Sequence, residues 1–209
     1  MNRPPPSIER PVRMIDFNAT IADHLAMVNG LAALLPDLQR AAREVTRAVT
    51  SGGRVVWFGN GGSAADSQHL AAELVGRFTR ERRALPAIAL TTDSSILTAL
   101  ANDYSFDGVF ARQVEAHCRP GDVAVGISTS GNSPNVLQGL QKARDLGVFT
   151  IGLTGGSGGR MARHADLCLV VPARATARIQ EGHILLGHMV CDWVEAAVMN
   201  GEDAGVHQS

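Results

Sequence analysis

The chain has 209 residues, 45% of them hydrophobic but only 4% aromatic, and a formal net charge of −1. That length suits one domain with a sizeable core, and near-neutral charge with scattered arginines leaves no basic stripe for nucleic acid. Cys118, Cys168 and Cys191 stand far apart and outside any CxxC pair. They exclude a cysteine zinc site and point to buried thiols in a reducing compartment.

Residues 1–13, MNRPPPSIERPVR, lack the apolar centre of a secretory signal and read as a flexible, Pro-rich N-terminus. No apolar run approaches the roughly 18 residues of a membrane span, so a cytoplasmic protein without a membrane partner is expected. From Met14 to Val49 the pattern is helical. Ile21, Leu25, Val28 and Ala32, then Leu38, Ala42, Val45 and Val49, recur at three- and four-residue steps. Pro36 is expected to separate two helices, and SGG at 51–53 to end the second. A helical pair this apolar buries poorly on one small sheet, which implies contact with another subunit.

Five short apolar runs follow, each leading into a small-residue loop and then a helical pattern: RVVWFG (54–59), PAIALT (86–91), DVAVGIS (122–128), VFTIGLT (148–154) and DLCLVVP (166–172). The last precedes a helix expected over about Thr176 to Met199, with a tail at 201–209. Continuous apolar runs are the mark of strands buried on both faces. Their alternation with helices predicts an α/β fold of one domain, 14–200: a helical pair over 14–50, then an α-β-α sandwich over 51–200 around a parallel five-stranded sheet. Ligands in such folds sit beyond the carboxyl ends of the strands. NGGS, TTD, STSGNS and TGGSGG all fall there.

GNGGSA at 59–64 matches the dinucleotide fingerprint, but the acidic residue that fingerprint needs about twenty positions on is missing; Asp93 lies too far. The loop STSGNS at 128–133 sets serine and threonine hydroxyls and a glycine before a helix beginning near Pro134. Hydroxyls and backbone N–H groups at a helix N-terminus make a compact phosphate site. Each serine read singly could be an ordinary N-cap. Two hydroxyl-rich loops at one sheet edge favour a small phosphorylated ligand over a dinucleotide.

His69 and Glu73 are four residues apart and share a helix face directly behind the first loop. RIQEGHILLGH brings Gln180, Glu181, His183 and His188 on the last helix. Histidine with carboxylate suits zinc, and a site that keeps an open position suits catalysis. The bland reading is a solvated His–Glu pair and a packed His183. Spacing does not choose between Gln180 and Glu181, and Gln180 and His188 stand about 12 Å apart along an ideal helix.

GNGGSAADSQHLAAELVGRF, LPAIALTTDSSILTALANDYSF, GISTSGNSPNV and RIQEGHILLGH together resemble the phosphoheptose isomerases of the sugar isomerase (SIS) family, over roughly residues 14–200. The resemblance implies a parallel-sheet sandwich, a homotetramer, and conversion of sedoheptulose 7-phosphate to D-glycero-D-manno-heptose 7-phosphate. That reaction is the first step toward nucleotide-activated heptoses for lipopolysaccharide, capsule or related glycans. It implies one zinc ion per subunit on His69, Glu73, Gln180 and His188, with Glu73 and His188 as the acid–base pair. It also implies substrate contacts from Asn60, Gly61, Gly62, Ser63, Glu73, Asn102, Asp103, Ser128, Thr129, Ser130, Ser133 and Gln180. Which of Glu73 and His188 is base and which acid stays open. Some members carry an aspartate three residues before the glutamine, where this chain has Ala177, so assistance from that carboxylate is absent. The rival expectations are a non-catalytic SIS protein that binds the bacterial replication initiator, which shares ARIQE, and another sugar-phosphate-binding SIS protein.

Overall fold

The apolar runs form five strands: β1 (Val55–Gly59), β2 (Ala87–Ala89), β3 (Val123–Ile127), β4 (Phe149–Gly155) and β5 (Leu167–Val171). In the computed structural model, which describes residues 15–206, they make one parallel sheet in the order β2-β1-β3-β4-β5. Val55 of β1 pairs with Ala87 on one side and Val123 on the other. Every residue of β1 and β3 is buried, as strands covered on both faces must be.

Period-two alternation divides these side chains between two cores. Val55, Trp57, Val123, Val125 and Ile127 face the layer of α2 (Leu35–Thr50), α3 (Gly62–Val75) and α8 (Thr176–Val206). Val56, Phe58 and Ala124 face α5 (Val109–His117), α6 (Pro134–Asp145) and α7 (Met161–His164). Two elements lie outside this sandwich. α1 (Phe17–Gly30) packs along α8, and α4 (Ser94–Asp103), which has no buried residue, follows β2 at the sheet edge. The first layer receives the helix after β1 and the second the helix after β3. The crevice between their loops is therefore the switch point where open α/β sheets bind ligands.

Several boundaries differ from the sequence expectation. The break between the first two helices is a 3-10 turn at Leu31–Leu34, and Pro36 sits in the first turn of α2. Proline is tolerated there because the first N–H groups of a helix have no intrahelical acceptor. The last helix runs past Met199 to Val206. A 3-10 turn at Phe106–Gly108 and α5 went unread, although Val109, Phe110 and Val114 are buried at helical spacing. The expected flexible segment 1–13 lies outside the described residues. Phe17–Thr50 also contains a window of mean hydropathy 1.2, apolar enough by length and composition to cross a membrane. Only 11% of that window is buried, and it lies mainly in α1; the more charged α2 that follows buries Leu38, Ala41, Ala42, Val45, Ala48 and Val49 against the sheet.

The three cysteines are free. Burial pushes the Cys118 and Cys191 thiols up to about 12 and Cys168 to about 11, which keeps all three protonated and unreactive at neutral pH.

Candidate active site at the carboxyl edge of the sheet

Two loops meet at the switch point. Asn60 after β1 and Asn135 in the first turn of α6 exchange amide hydrogen bonds of 2.9 and 2.8 Å, joining the β1 and β3 loops. Gly61 is the N-cap of α3; its φ of +57° requires glycine, and no side chain caps the helix. Ser63 is 3% exposed just inside that helix.

In the second loop the hydroxyls converge on each other. Ser128 Oγ lies 2.9 Å from Ser133 Oγ and 3.5 Å from Ser130 Oγ. Ser133 occupies the N-cap position of α6 yet makes no capping hydrogen bond. The ordinary N-cap reading therefore fails for this serine, and its hydroxyl belongs to the loop's own cluster. Thr129 is half-buried between Ser128 and Ser130. Gly131 has φ +65°, and a Cβ on it would collide with the Gly158 carbonyl. The TGGSGG loop supports this turn from behind: the Met161 N–H donates to Gly131 O at 2.9 Å and the Arg160 N–H to Asn132 Oδ1 at 3.1 Å.

Behind the first loop, α3 and α8 run side by side in the same direction. Gly62 packs against the Gln180 amide, and two turns later Gly187 packs against Leu70. This register sets His69 opposite His188. Their Nε2 atoms are 3.3 Å apart, and His69 Nε2 is 2.9 Å from Glu73 Oε1. Ligand atoms of His69, Glu73 and His188 all lie within 4.8 Å of one another. Bonds of about 2.0–2.1 Å to a tetrahedral ion separate neighbouring ligand atoms by about 3.3 Å, so the donor set and its spacing fit zinc. The site is partly open, with side-chain exposures of 48% at His69 and 22% at Glu73. Burial and the adjacent His69 lower the His188 pKa against the opposing pull of Glu73, and a neutral imidazole is the form that ligates a metal.

The other histidine and carboxylate of RIQEGH are otherwise engaged. Glu181 accepts from His24 Nδ1 at 2.7 Å and from Arg178, which also donates to Thr20 O at 2.8 Å; the two tie α1 to α8. His183 is fully buried, 3.1 Å from Thr154 O, and burial drives its pKa down to about 4 despite that contact. Asp93 caps α4 through the Ile96 N–H at 2.9 Å. Asn102 and Asp103 hydrogen-bond to each other at the exposed end of α4, and among the described residues no contact brings them to the serine loop or the histidines. The structure thus groups three of the four expected metal ligands. The amide of the fourth, Gln180, lies against the start of α3.

Asp66, one turn before His69, was not singled out from sequence. Burial raises its carboxyl pKa while His69 lowers it, and its Oδ2 is buried without a hydrogen-bond partner. Its three-residue spacing from His69 was the available signal. Thr154, whose buried Oγ1 is also unpartnered, lies against Gly131.

A SIS-domain family profile matches residues 17–155. The phosphoheptose isomerase of Aquifex aeolicus is 62% identical over 182 residues, covering 87% of this chain and 94% of that protein. The Rhodospirillum rubrum phosphoheptose isomerase is 56% identical, covering 87% and 95%. Among solved structures, the phosphoheptose isomerase of Neisseria gonorrhoeae superposes with a TM-score of 0.82 at 44% identity, covering 86% of this chain and 97% of that one. That of Francisella tularensis superposes at 0.83 with 38% identity, covering 86% and 96%.

Proposed function

The chain belongs to the SIS-domain family and, within it, to the phosphoheptose isomerases, and from that we propose that it converts sedoheptulose 7-phosphate to D-glycero-D-manno-heptose 7-phosphate. This is the entry step to nucleotide-activated heptoses. The observation that carries the reading is the grouping of Glu73 with His69 and His188 behind the first loop, which the Asn60–Asn135 amide pair joins to the hydroxyl-rich serine loop. The relatives quoted above are all isomerases, and the non-catalytic initiator-binding reading has no support among them.

Ketose-to-aldose conversion moves a proton from C1 to C2 and shifts the carbonyl from C2 to C1, with no net oxidation. It needs a base at carbon, an acid at oxygen and stabilisation of the enediolate. Ser128, Thr129, Ser130 and Ser133, with the N-terminus of α6, would bind the phosphate and fix the far end of the sugar. Asn60, Gly61, Gly62 and Ser63 would line the sugar chain, as would Asn102 and Asp103 where the chain's assembly permits. Glu73 and His188 would carry the proton between C1 and C2 and serve the oxygens. His69, Glu73, Gln180 and His188 would hold one zinc ion per subunit, which supplies Lewis-acid polarisation of the carbonyl. Gln180, between the first loop and the histidines, would also meet the substrate.

An exposed apolar stripe on α1, Phe17, Ile21 and Leu25 at 75%, 58% and 56% exposure, supports burial against other copies in a homotetramer. Free, unreactive thiols support a reducing cytoplasm, and a charge of −1 supports neither nucleic acid nor anionic membrane as partner. Glu73→Gln tests the assignment. The variant should fold, bind the sugar phosphate and lose at least a thousandfold in kcat, in keeping with loss of an acid–base group. Near-normal turnover would remove Glu73 from the chemistry.

A further inference from the structure

α3 stops at Val75, leaving the terminal carbonyls that every helix end leaves without intrahelical partners. One side chain collects them. Arg82 donates from Nη2 to Glu73 O at 2.8 Å and from Nη1 to Leu74 O at 2.9 Å and Gly76 O at 3.0 Å. Its side chain is 1% exposed, and its Nε lies 3.2 Å from Glu195 Oε1. That approach is an ion pair without hydrogen-bond alignment, since Nε has no hydrogen-bond partner.

Glu195 is itself fully buried on α8. Its carboxylate accepts the N–H groups of Phe78 at 2.9 Å, Thr79 at 2.8 Å and Arg80 at 2.8 Å, and the Thr79 hydroxyl at 3.1 Å. Burial alone would raise its pKa, but these donors outweigh it and the carboxyl stays ionised. Glu195 is two turns beyond His188, on the same face of α8. The segment it grips carries Phe78, whose ring lies 5.2 Å from the His188 ring at an interplanar angle of 33°. Asp192 adds an outer tie, 2.5 Å from Arg80 Nη1.

The geometry points to Glu195, Arg82 and Phe78 as a positioning unit for the catalytic cluster. Arg82 fixes the backbone of Glu73, Phe78 fixes the ring of His188, and Glu195 joins the two. The unit locks the carboxylate on α3 and the imidazole on α8 into one register. A merely structural ion pair would not need to place an aromatic ring on one functional residue and a guanidinium on the backbone of the other. The inference rests on the reading that His69, Glu73 and His188 hold zinc. Partners behind the ligands of a metal site typically govern its affinity by 10–100-fold.

The test compares Phe78→Leu, Phe78→Tyr and Arg82→Lys with the wild-type protein. Zinc affinity is measured by competition with a chromophoric chelator, alongside kcat and KM for sedoheptulose 7-phosphate and thermal melting. Phe78→Leu should weaken zinc binding and lower kcat about tenfold or more each, with KM within about threefold. Phe78→Tyr, which keeps the ring, should stay at wild-type values. Arg82→Lys keeps the charge but loses the forked grip on α3, and should behave like Phe78→Leu. If Arg82→Lys does not fold, the Phe78 pair decides alone. A folded Phe78→Leu with unchanged zinc affinity and kcat, differing only in melting temperature, would overturn the positioning role. A wild-type protein that turns over substrate without binding zinc would instead overturn the metal reading, and the kcat difference between the two Phe78 variants would then decide the positioning role.

Discussion

Gly187→Ala probes whether the spacing of α3 and α8 sets the site. Alanine in a helix interior is favoured over glycine by about 1 kcal/mol, so propensity alone predicts stabilisation. Packing predicts the reverse. The new Cβ would stand 2.5 Å from both Leu70 methyl carbons and 3.1 Å from its Cγ. Carbon contacts are optimal at about 3.5–4.0 Å, so something must yield by about 1 Å. Leu70 is 0% exposed and its methyls have no solvent to swing into, so the helices must part. Overpacking of this kind costs about 1–3 kcal/mol, and a displacement of about 1 Å belongs in the upper half of that range. The net loss is then roughly 1–2 kcal/mol, or a fall of roughly 3–6 °C in Tm for a chain of this size. Because the neighbouring residue is His188, the same displacement opens the 3.3 Å gap to His69 and should weaken zinc binding. Thermal melts of metal-free protein and a zinc competition titration read both effects. Adding Gly187→Ala to Leu70→Ala should cost nothing further, because the new methyl enters space the leucine has left. A single variant that is more stable than wild type, with unchanged zinc affinity, would refute the claim that this contact sets the helix spacing.

Three further outcomes are expected. Ser133→Ala should cost less than the roughly 0.5–2 kcal/mol of a lost N-cap, since its hydroxyl does not cap α6, while raising KM for the sugar phosphate; a full cap-sized loss with unaltered KM would return the serine to a structural role. His183 accepts its proton near 6.5 when unfolded but only at about 4 when folded, so the unfolded chain binds more protons between these values. Stability should therefore fall as pH drops from 6.5 toward 4, by at most about 3 kcal/mol from this group. Urea midpoints at pH 7 and 4.5 should differ less in His183→Asn than in wild type, and an identical pH dependence in the two would contradict a neutral buried imidazole. Truncation of the exposed stripe by Phe17→Ser with Ile21→Ser should shift the protein to a smaller species in sedimentation; an unchanged species would place the subunit contact elsewhere.

The sheet was legible because β1 and β3 are apolar at every position but their small residues, a pattern that only a doubly covered strand produces. α5 was not, because it is short and the polar Gln113 sits on its apolar face, and it follows a turn with no proline to mark it. The break before α2 was placed at Pro36 because proline was taken as a terminator, whereas here it starts a helix. Among the site residues, His69 and Glu73 were readable from their shared helix face. The choice against Glu181 and His183 was not, since it depends on His24 and Thr154, distant in sequence, taking up those side chains. Glu195 and Arg82 gave no local signal at all. Their roles arise only where the end of α3 meets the far turns of α8, separated by more than a hundred residues.

The measurement that bears most directly on the account is conversion of sedoheptulose 7-phosphate with product-specific detection, on protein as purified, after chelation and after zinc is restored. The account predicts heptose phosphate formation that disappears with chelation and returns with zinc. Turnover indifferent to chelation would contradict the metal role of the His69–Glu73–His188 cluster, and zinc-replete protein that binds the sugar phosphate without turning it over would contradict the isomerase itself.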